Sequence, residues 1–432
     1  MERTENANPV YTLLDKGKLF FKSVIIFVMA FGLWIPTFIV REVIGERENR
    51  QREAIEEVSS KWAGRQTITG PIVMIPYKKM EANMLVKKYA YFLADQLEYN
   101  SSIEPQKRHR GIYDVVVYDG KVSATTKFNE VKWKQLNISP DDILWSETKV
   151  LLQISDIPHG INEEIYLKWK DSSYVFQPWS ESTSNMGEAL FASIPFNMEG
   201  ASRENNFSVD FSLHGSQQLM FAPAARETKI SLTGNWPDPS FTGIKIPEAP
   251  NDSDSGINAK WKYLNRTTPM VWDGQFINMN ESSMGANLII PVDGYDKTER
   301  SVKYALLCII LTFAAFFLVE TIYRKNLHLI QYGLAGLALV LFYTLLLSIS
   351  EYTGFNIAYM IAGLATILLV GWFVGSILKS SKLGTFIGMV LTVVYGYIYT
   401  IIQLQDYALL MGSIGLFIAL AIIMYFSRKF QW

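Results

Sequence analysis

The chain has 432 residues, of which 49% are hydrophobic and only 19% charged, with a formal net charge of −1. Globular proteins carry about 25% charged residues, and here the deficit falls in the last third, so the composition joins a polar region to a membrane region. A net charge near zero gives no electrostatic basis for a nucleic-acid partner. The single cysteine, Cys308, excludes an intrachain disulfide framework and favours a bacterial envelope over a secreted, disulfide-stapled ectodomain.

Taken in chain order, a polar N-terminal segment (1–18) precedes an apolar run at 19–40. About 20 residues rising 1.5 Å each cross a hydrocarbon core of roughly 30 Å. The run exceeds a signal-peptide core and no small-x-small cleavage site follows it, so it reads as an uncleaved anchor. Five further runs, at 304–323, 327–350, 355–378, 383–403 and 407–427, bring the expected spans to six. The connections carrying Arg324 and Lys325, then Lys379 and Lys382, then Arg428 and Lys429 alternate with ones carrying only Glu351 or Asp406. Lys and Arg in short loops mark the cytoplasmic side. Both termini, including 428–432, are therefore expected in the cytoplasm, with 41–303 in the periplasm and 304–427 as a five-helix domain in the bacterial inner membrane.

Beyond the anchor, Ile55, Val58 and Trp62 recur at helical spacing among charges, and Gly64 is a plausible stop. The period then changes to two. "TITGPIVMIPY" and "ANLIIPV" read as short strands, and Asp119-Gly120 between β-rich runs reads as a two-residue hairpin. Further strand-like stretches make the expected fold class a polytopic α-helical membrane protein with a large, β-rich, sandwich-like antiparallel extracytoplasmic domain. That region forms one domain or two.

The zinc, Cys-x-x-Cys, phosphate-loop and nucleophile-elbow signatures are absent from the sequence. The four histidines are scattered, so no metal, cofactor or catalytic residue is expected. Ser413 and His328, read as a nucleophile and base, fall at opposite ends of their spans, too far apart for proton transfer. Glu320 is an acid within an apolar run, where such residues are functional candidates. It pairs with Arg324 four residues on, or it has an ion or proton role with Gln331, Tyr395 and Tyr399. Gly371 with Gly375, and Gly384 with Gly388, form Gly-x-x-x-Gly motifs for packing within the bundle or, alternatively, for a homo-oligomer.

In the outer region, Arg108 and Arg110 of "RHRGIY" belong to a solvated loop or meet an anionic surface. Trp236 of "GNWPDPSFTG" packs a rigid turn or contacts a partner. The collar before the second span carries Asp296, Lys297, Glu299, Arg300 and Lys303, with Asp296–Arg300 and Glu299–Lys303 pairs at helical spacing. It is expected to meet the mixed-charge stretch "REVIGERENR" and to clamp the outer domain on its spans.

Several stretches together resemble the CreD family of bacterial inner-membrane proteins. They are "EEVSSKWAGRQTITGPIVMIPY", "RHRGIY", "GSQQLMFAPAARETKISLTGNWPDPSFTG", "PVDGYDKTERSVKYALL" and "LVETIYRKNLHLIQYGLAGLALVLFYTLLLSISEYTGFNIAY". The resemblance covers nearly the whole chain. It implies an inner-membrane protein linked to cell-envelope integrity, governed in some bacteria by the Cre sensor-regulator system and associated with colicin tolerance and β-lactam responses. It implies no enzymatic activity and carries over no catalytic residue.

The expected function is therefore non-enzymatic, with partners in the lipid bilayer and among periplasmic proteins, lipids or cell-wall polymers. The alternative is a transporter or flippase-like protein using a polar path near Glu320 and the span-five tyrosines. A membrane enzyme acting on lipid or cell-wall precursors is a third reading.

Overall fold

The computed structural model describes residues 9–179, 188–237, 239–248, 256–288, 293–323, 325–404 and 407–427. The chain divides into two compact units, Met1–Arg50 with Pro291–Trp432, and Gln51–Ile290.

The helical unit begins with α1, a helix of 54 residues, Pro9–Trp62, that continues into the second unit. The anchor and the amphipathic segment are thus one helix. Residues 41–62 are rich in Glu and Arg, which favour helix over coil. Pairs one turn apart support it, Glu46 with Arg50 at 2.5 Å and Glu57 with Lys61 at 2.7 Å. It ends at Trp62, two residues before Gly64.

The remaining helices are α2 (Asp293–Lys303), α3 (Ala305–Tyr323), α4 (Leu329–Thr353), α5 (Phe355–Ile377), α6 (Ser381–Gln403) and α7 (Ala408–Ser427). Among the described residues, five helices are long and apolar enough to cross a membrane: α1, α3, α4, α5 and α6. Gly354 alone separates α4 from α5, with φ +78°, a conformation glycine adopts without steric cost. The charged collar is helical and falls within the helical unit.

The second unit is built on strands. In chain order these are β1 (Gln66–Glu81), β2 (Met84–Phe92), β3 (Ala94–Arg110), β4 (Tyr113–Phe128), β5 (Lys149–Ile154), β6 (Tyr166–Trp169), β7 (Ser172–Val175) and β8 (Gln177–Pro178). There follow β9 (Ala189–Ser193), β10 (Asn205–Ser216), β11 (Gln218–Ala222), β12 (Ala225–Gly234), β13 (Pro239–Gly243), β14 (Ile257–Leu264), β15 (Val271–Asp273) and β16 (Met284–Leu288). A nine-stranded sheet runs β13-β16-β11-β1-β5-β9-β8, with β2 on β1 and β15 on β2; a seven-stranded sheet runs β14-β12-β3-β4-β10-β6-β7.

Both sheets contribute to one hydrophobic core. Tyr99 of β3 packs on Phe221 of β11 with ring centroids 5.0 Å apart, and its hydroxyl donates to the Gly70 carbonyl at 2.6 Å. Burial raises the Tyr99 pKa far above that of a free phenol, so it remains a donor.

Three expectations for this unit change. The Asp119-Gly120 hairpin does not form, because β4 runs straight through it and pairs with both β3 and β10. Instead of turning the chain, Asp119 bonds the His214 ring at 2.5 Å, while Gly120 lies against Ile103 and Leu213. The chain reverses instead at Ala82-Asn83, both at positive φ, and at Gly111. Nor are the sheets wholly antiparallel. β1 pairs with β11, and β3 with β12, in parallel, which the long intervening segments permit. Finally, several strands are long, with 16 residues in β1 and 17 in β3.

Candidate functional site

Glu320 lies near the end of α3 and is only 8% exposed. A carboxylate withdrawn from water needs charge and hydrogen-bond partners. The Lys22 ammonium of α1 contacts Oε1, and the same nitrogen donates to the Leu327 carbonyl at 2.7 Å. The Tyr332 hydroxyl of α4 donates to Oε2 at 3.0 Å, and the Leu327 N–H reaches Oε1 at 3.3 Å. Both oxygens are therefore occupied, and one carboxylate joins α1, α3 and α4. Among the described residues its ionic partner is Lys22, 298 positions away; the expected partner Arg324 lies outside the described residues. Lys22 at the N-terminal end of the first apolar run was the signal available in the sequence.

The other residues grouped with Glu320 make different contacts. Gln331 completes a capping box with His328 at the start of α4. Tyr395 packs on Phe342 at 4.6 Å and accepts the Tyr359 hydroxyl on its carbonyl at 2.9 Å. Tyr399 bonds Asn356 at 3.2 Å. Tyr395 neighbours Cys308, and Cys308 and Glu320 are twelve residues apart on one helix, about 18 Å along its axis. Ser413 bonds the Leu410 carbonyl of its own helix at 2.8 Å, and His328 caps α4.

Farther along α1, Glu351 at the end of α4 receives two groups on one oxygen. Arg47 Nε stands 3.6 Å from Oε1, and the Tyr295 hydroxyl donates to it at 3.1 Å. The two collars thus converge on Glu351. Within α2, Glu299 pairs with Lys303 at 3.1 Å. Among the described residues no ion pair joins Asp296 to Arg300.

The glycine motifs of α5 and α6 face each other. A Cβ at Gly384 would stand 2.6 Å from the Gly371 carbonyl oxygen and 2.8 Å from the Gly375 Cα. One at Gly388 would meet only the Ile367 side chain at 3.8 Å.

In the β unit the last turns of α1 are held by the residues of "RHRGIY". Arg110, at the end of β3, donates from Nε and Nη2 to the two oxygens of Glu57 at 2.9 and 2.8 Å. This planar two-point geometry is specific to arginine. Hydrogen bonds from Lys61 and then Arg110 hold the Glu57 carboxyl below the usual range. Arg108 lies over the Trp62 ring at 5.2 Å, with His214 against the same ring at 4.7 Å. The segment just beyond is also tied down, as Asp156 accepts the Gly64 N–H at 2.8 Å. Trp236 is buried, with the Lys107 ammonium 5.9 Å from its ring centroid, and Phe241 packs edge-on against Trp261 at 5.7 Å.

The outer face of the seven-stranded sheet carries an open polar trough of about 560 Å³. Cross-strand register aligns Ser231, Asn100, Ser123 and Asp210 in one row and Thr233, Ser102, Lys121 and Ser212 in the next. Among the described residues, no three His, Cys, Asp or Glu side chains cluster in a metal-binding arrangement.

Comparison with known proteins matches residues 18–432 to the family model described as "Inner membrane protein CreD". The inner membrane protein CreD of Escherichia coli (strain K12) is 29% identical over 431 residues, covering 96% of this chain and 94% of that protein. With helices able to cross a membrane and a family match over nearly its whole length, the chain belongs to the CreD family of inner-membrane proteins.

Proposed function

We propose that this protein contributes to cell-envelope integrity as a non-enzymatic bracing and binding protein. In this reading six spans, with α7 as the sixth, anchor a sandwich-like periplasmic domain, and both termini lie in the cytoplasm. The reading rests on α1. A single helix of 54 residues is fastened to its surroundings by specific charged contacts within each unit. In the helical unit these are Lys22 with Glu320 and Arg47 with Glu351. In the β unit they are Glu57 with Arg110 and Trp62 with Arg108. Buried or forked ion pairs at fixed positions confer geometric specificity more than net stability, which suits a brace.

Partner capture falls to the β unit, where the polar trough offers hydroxyls, an amide and both signs of charge. The test is photo-crosslinking in living cells from Ser102 and Ser123, followed by mass spectrometry. Discrete crosslinks to an envelope protein, lipid or cell-wall fragment are expected. A wild-type level of envelope robustness with no crosslinked species from either position would remove the binding half of the proposal.

The transporter reading draws on burial of the Tyr343 and Tyr395 hydroxyls without hydrogen-bond partners among the described residues. It requires a route between them and Glu320, and it predicts that Glu320→Gln abolishes function in a folded protein.

A further inference from the structure

The turn joining β1 to β2 has a composition at odds with a hairpin that merely ends in water. Ala82 and Asn83, at φ 48° and 62°, form the two-residue turn. The register beneath it pairs Glu81 with Met84, Met80 with Leu85, Lys79 with Val86 and Lys78 with Lys87. Met80, Met84 and Leu85 are 65%, 66% and 60% exposed, three large apolar side chains together at one tip. Isolated exposed apolar residues are ordinary, whereas a cluster of them marks an interaction surface.

Immediately behind the tip stand Lys78, Lys79, Lys87 and Lys88. Lys87 pairs with Glu147 at 2.6 Å and Lys88 with Glu81 at 3.0 Å. Lys78 and Lys79 form no ion pair among the described residues. Methionine is flexible and polarizable, suited to a fluid or irregular partner. An apolar tip backed by lysines matches a phospholipid surface, with side chains entering the acyl boundary and ammonium groups meeting anionic headgroups. The chain itself crosses a membrane, so tethering keeps the hairpin at high local concentration near lipid.

We propose that the β1–β2 tip is a membrane-dipping hairpin that inserts Met80, Met84 and Leu85 into an anionic phospholipid surface. The inference is separate from partner capture at the trough and stands if that capture fails. The full-length protein is placed in nanodiscs containing phosphatidylglycerol, with an environment-sensitive fluorophore on Met84→Cys; Cys308 is buried and stays unlabelled. Brominated lipid is supplied either in the disc or in added phosphatidylglycerol vesicles. The same fluorophore on Ser173→Cys, an exposed strand position, is the control.

Quenching at residue 84 but not at 173 is expected from at least one source. Quenching from the disc assigns the host bilayer, and quenching from vesicles assigns a facing one. Lys78→Glu with Lys79→Glu should weaken the lipid contact by about tenfold or more, without disturbing an ion pair of the fold. Water-like emission without quenching from either source would overturn the proposal. So would a blue shift that brominated lipid does not quench, which would assign the tip to a protein partner.

Discussion

Arg110 holds both carboxylate oxygens of Glu57, at 2.9 and 2.8 Å, and so ties the last turns of α1 to the end of β3. The Arg108 guanidinium over Trp62 reinforces the same junction. Arg110→Lys keeps the charge and loses the fork. Backbone amides of residues 54–62 should therefore exchange faster in Arg110→Lys, and faster still in Arg110→Ala, with the β4 core unchanged. Hydrogen-exchange mass spectrometry on the full chain checks this.

Among the described residues, Lys22 and Glu320 form the most enclosed ion pair of the helical unit. Removing one member of a buried pair leaves the other charge uncompensated, at a cost of about 3 kcal/mol or more. Glu320→Ala should lower thermal stability in detergent accordingly. Glu320→Leu combined with Lys22→Met should recover much of the loss, because no charge then remains unpaired. A double variant as unstable as the single one would mean that the pair is not what holds α1 there.

The contact between α5 and α6 depends on having no Cβ at Gly384. Gly384→Ala pushes a methyl against backbone atoms of α5 and should cost about 1–3 kcal/mol. Gly388→Ala meets only ordinary contact with Ile367 and gains helix propensity, so it should be neutral or mildly stabilising. Parallel melting curves for the two variants distinguish backbone contact from a general intolerance of α6.

Asp156 supplies an acid-sensitive contact beside the end of α1. Burial acts to raise its carboxyl, but hydrogen bonds from the Gly64 N–H and from His159 outweigh this and hold it below the ordinary aspartate value of 3.8. A depressed folded value means the stabilisation is complete above the unfolded value and disappears as pH falls through the folded one. Between pH 5 and pH 3 the wild type should therefore lose more stability than Asp156→Asn, which lacks the titrating group. At neutral pH, Asp156→Ala should cost about 1 kcal/mol through the lost cap at His159.

The apolar runs and their basic flanks were legible because length and charge are local properties. So was the helicity after the anchor, written in Ile55, Val58 and Trp62. What the sequence concealed was pairing. Asp119-Gly120 has turn chemistry, yet β3 and β10 on either side hold it extended, a tertiary override of a local preference. Lys22 and Glu320 are distant in sequence, so no local pattern links them. Arg108 and Arg110 read as a solvated loop because Glu57 and Trp62 are on a different element. The collar illustrates both sides: its helix and its Glu299–Lys303 pair follow from spacing, whereas its meeting with the first collar runs through Glu351, which no local pattern links to either.

Charge reversal across the Glu57–Arg110 pair tests the bracing account most directly. Cells lacking the native protein are complemented with wild type, Glu57→Arg, Arg110→Glu or the double swap, at matched membrane levels, and survival in envelope-damaging detergent is measured. Each single reversal places like charges in contact and should reduce survival, and the double swap should restore it. Single variants that protect cells as well as wild type, while their 54–62 amides exchange freely, would contradict the claim that fastening α1 is what this protein does for the envelope.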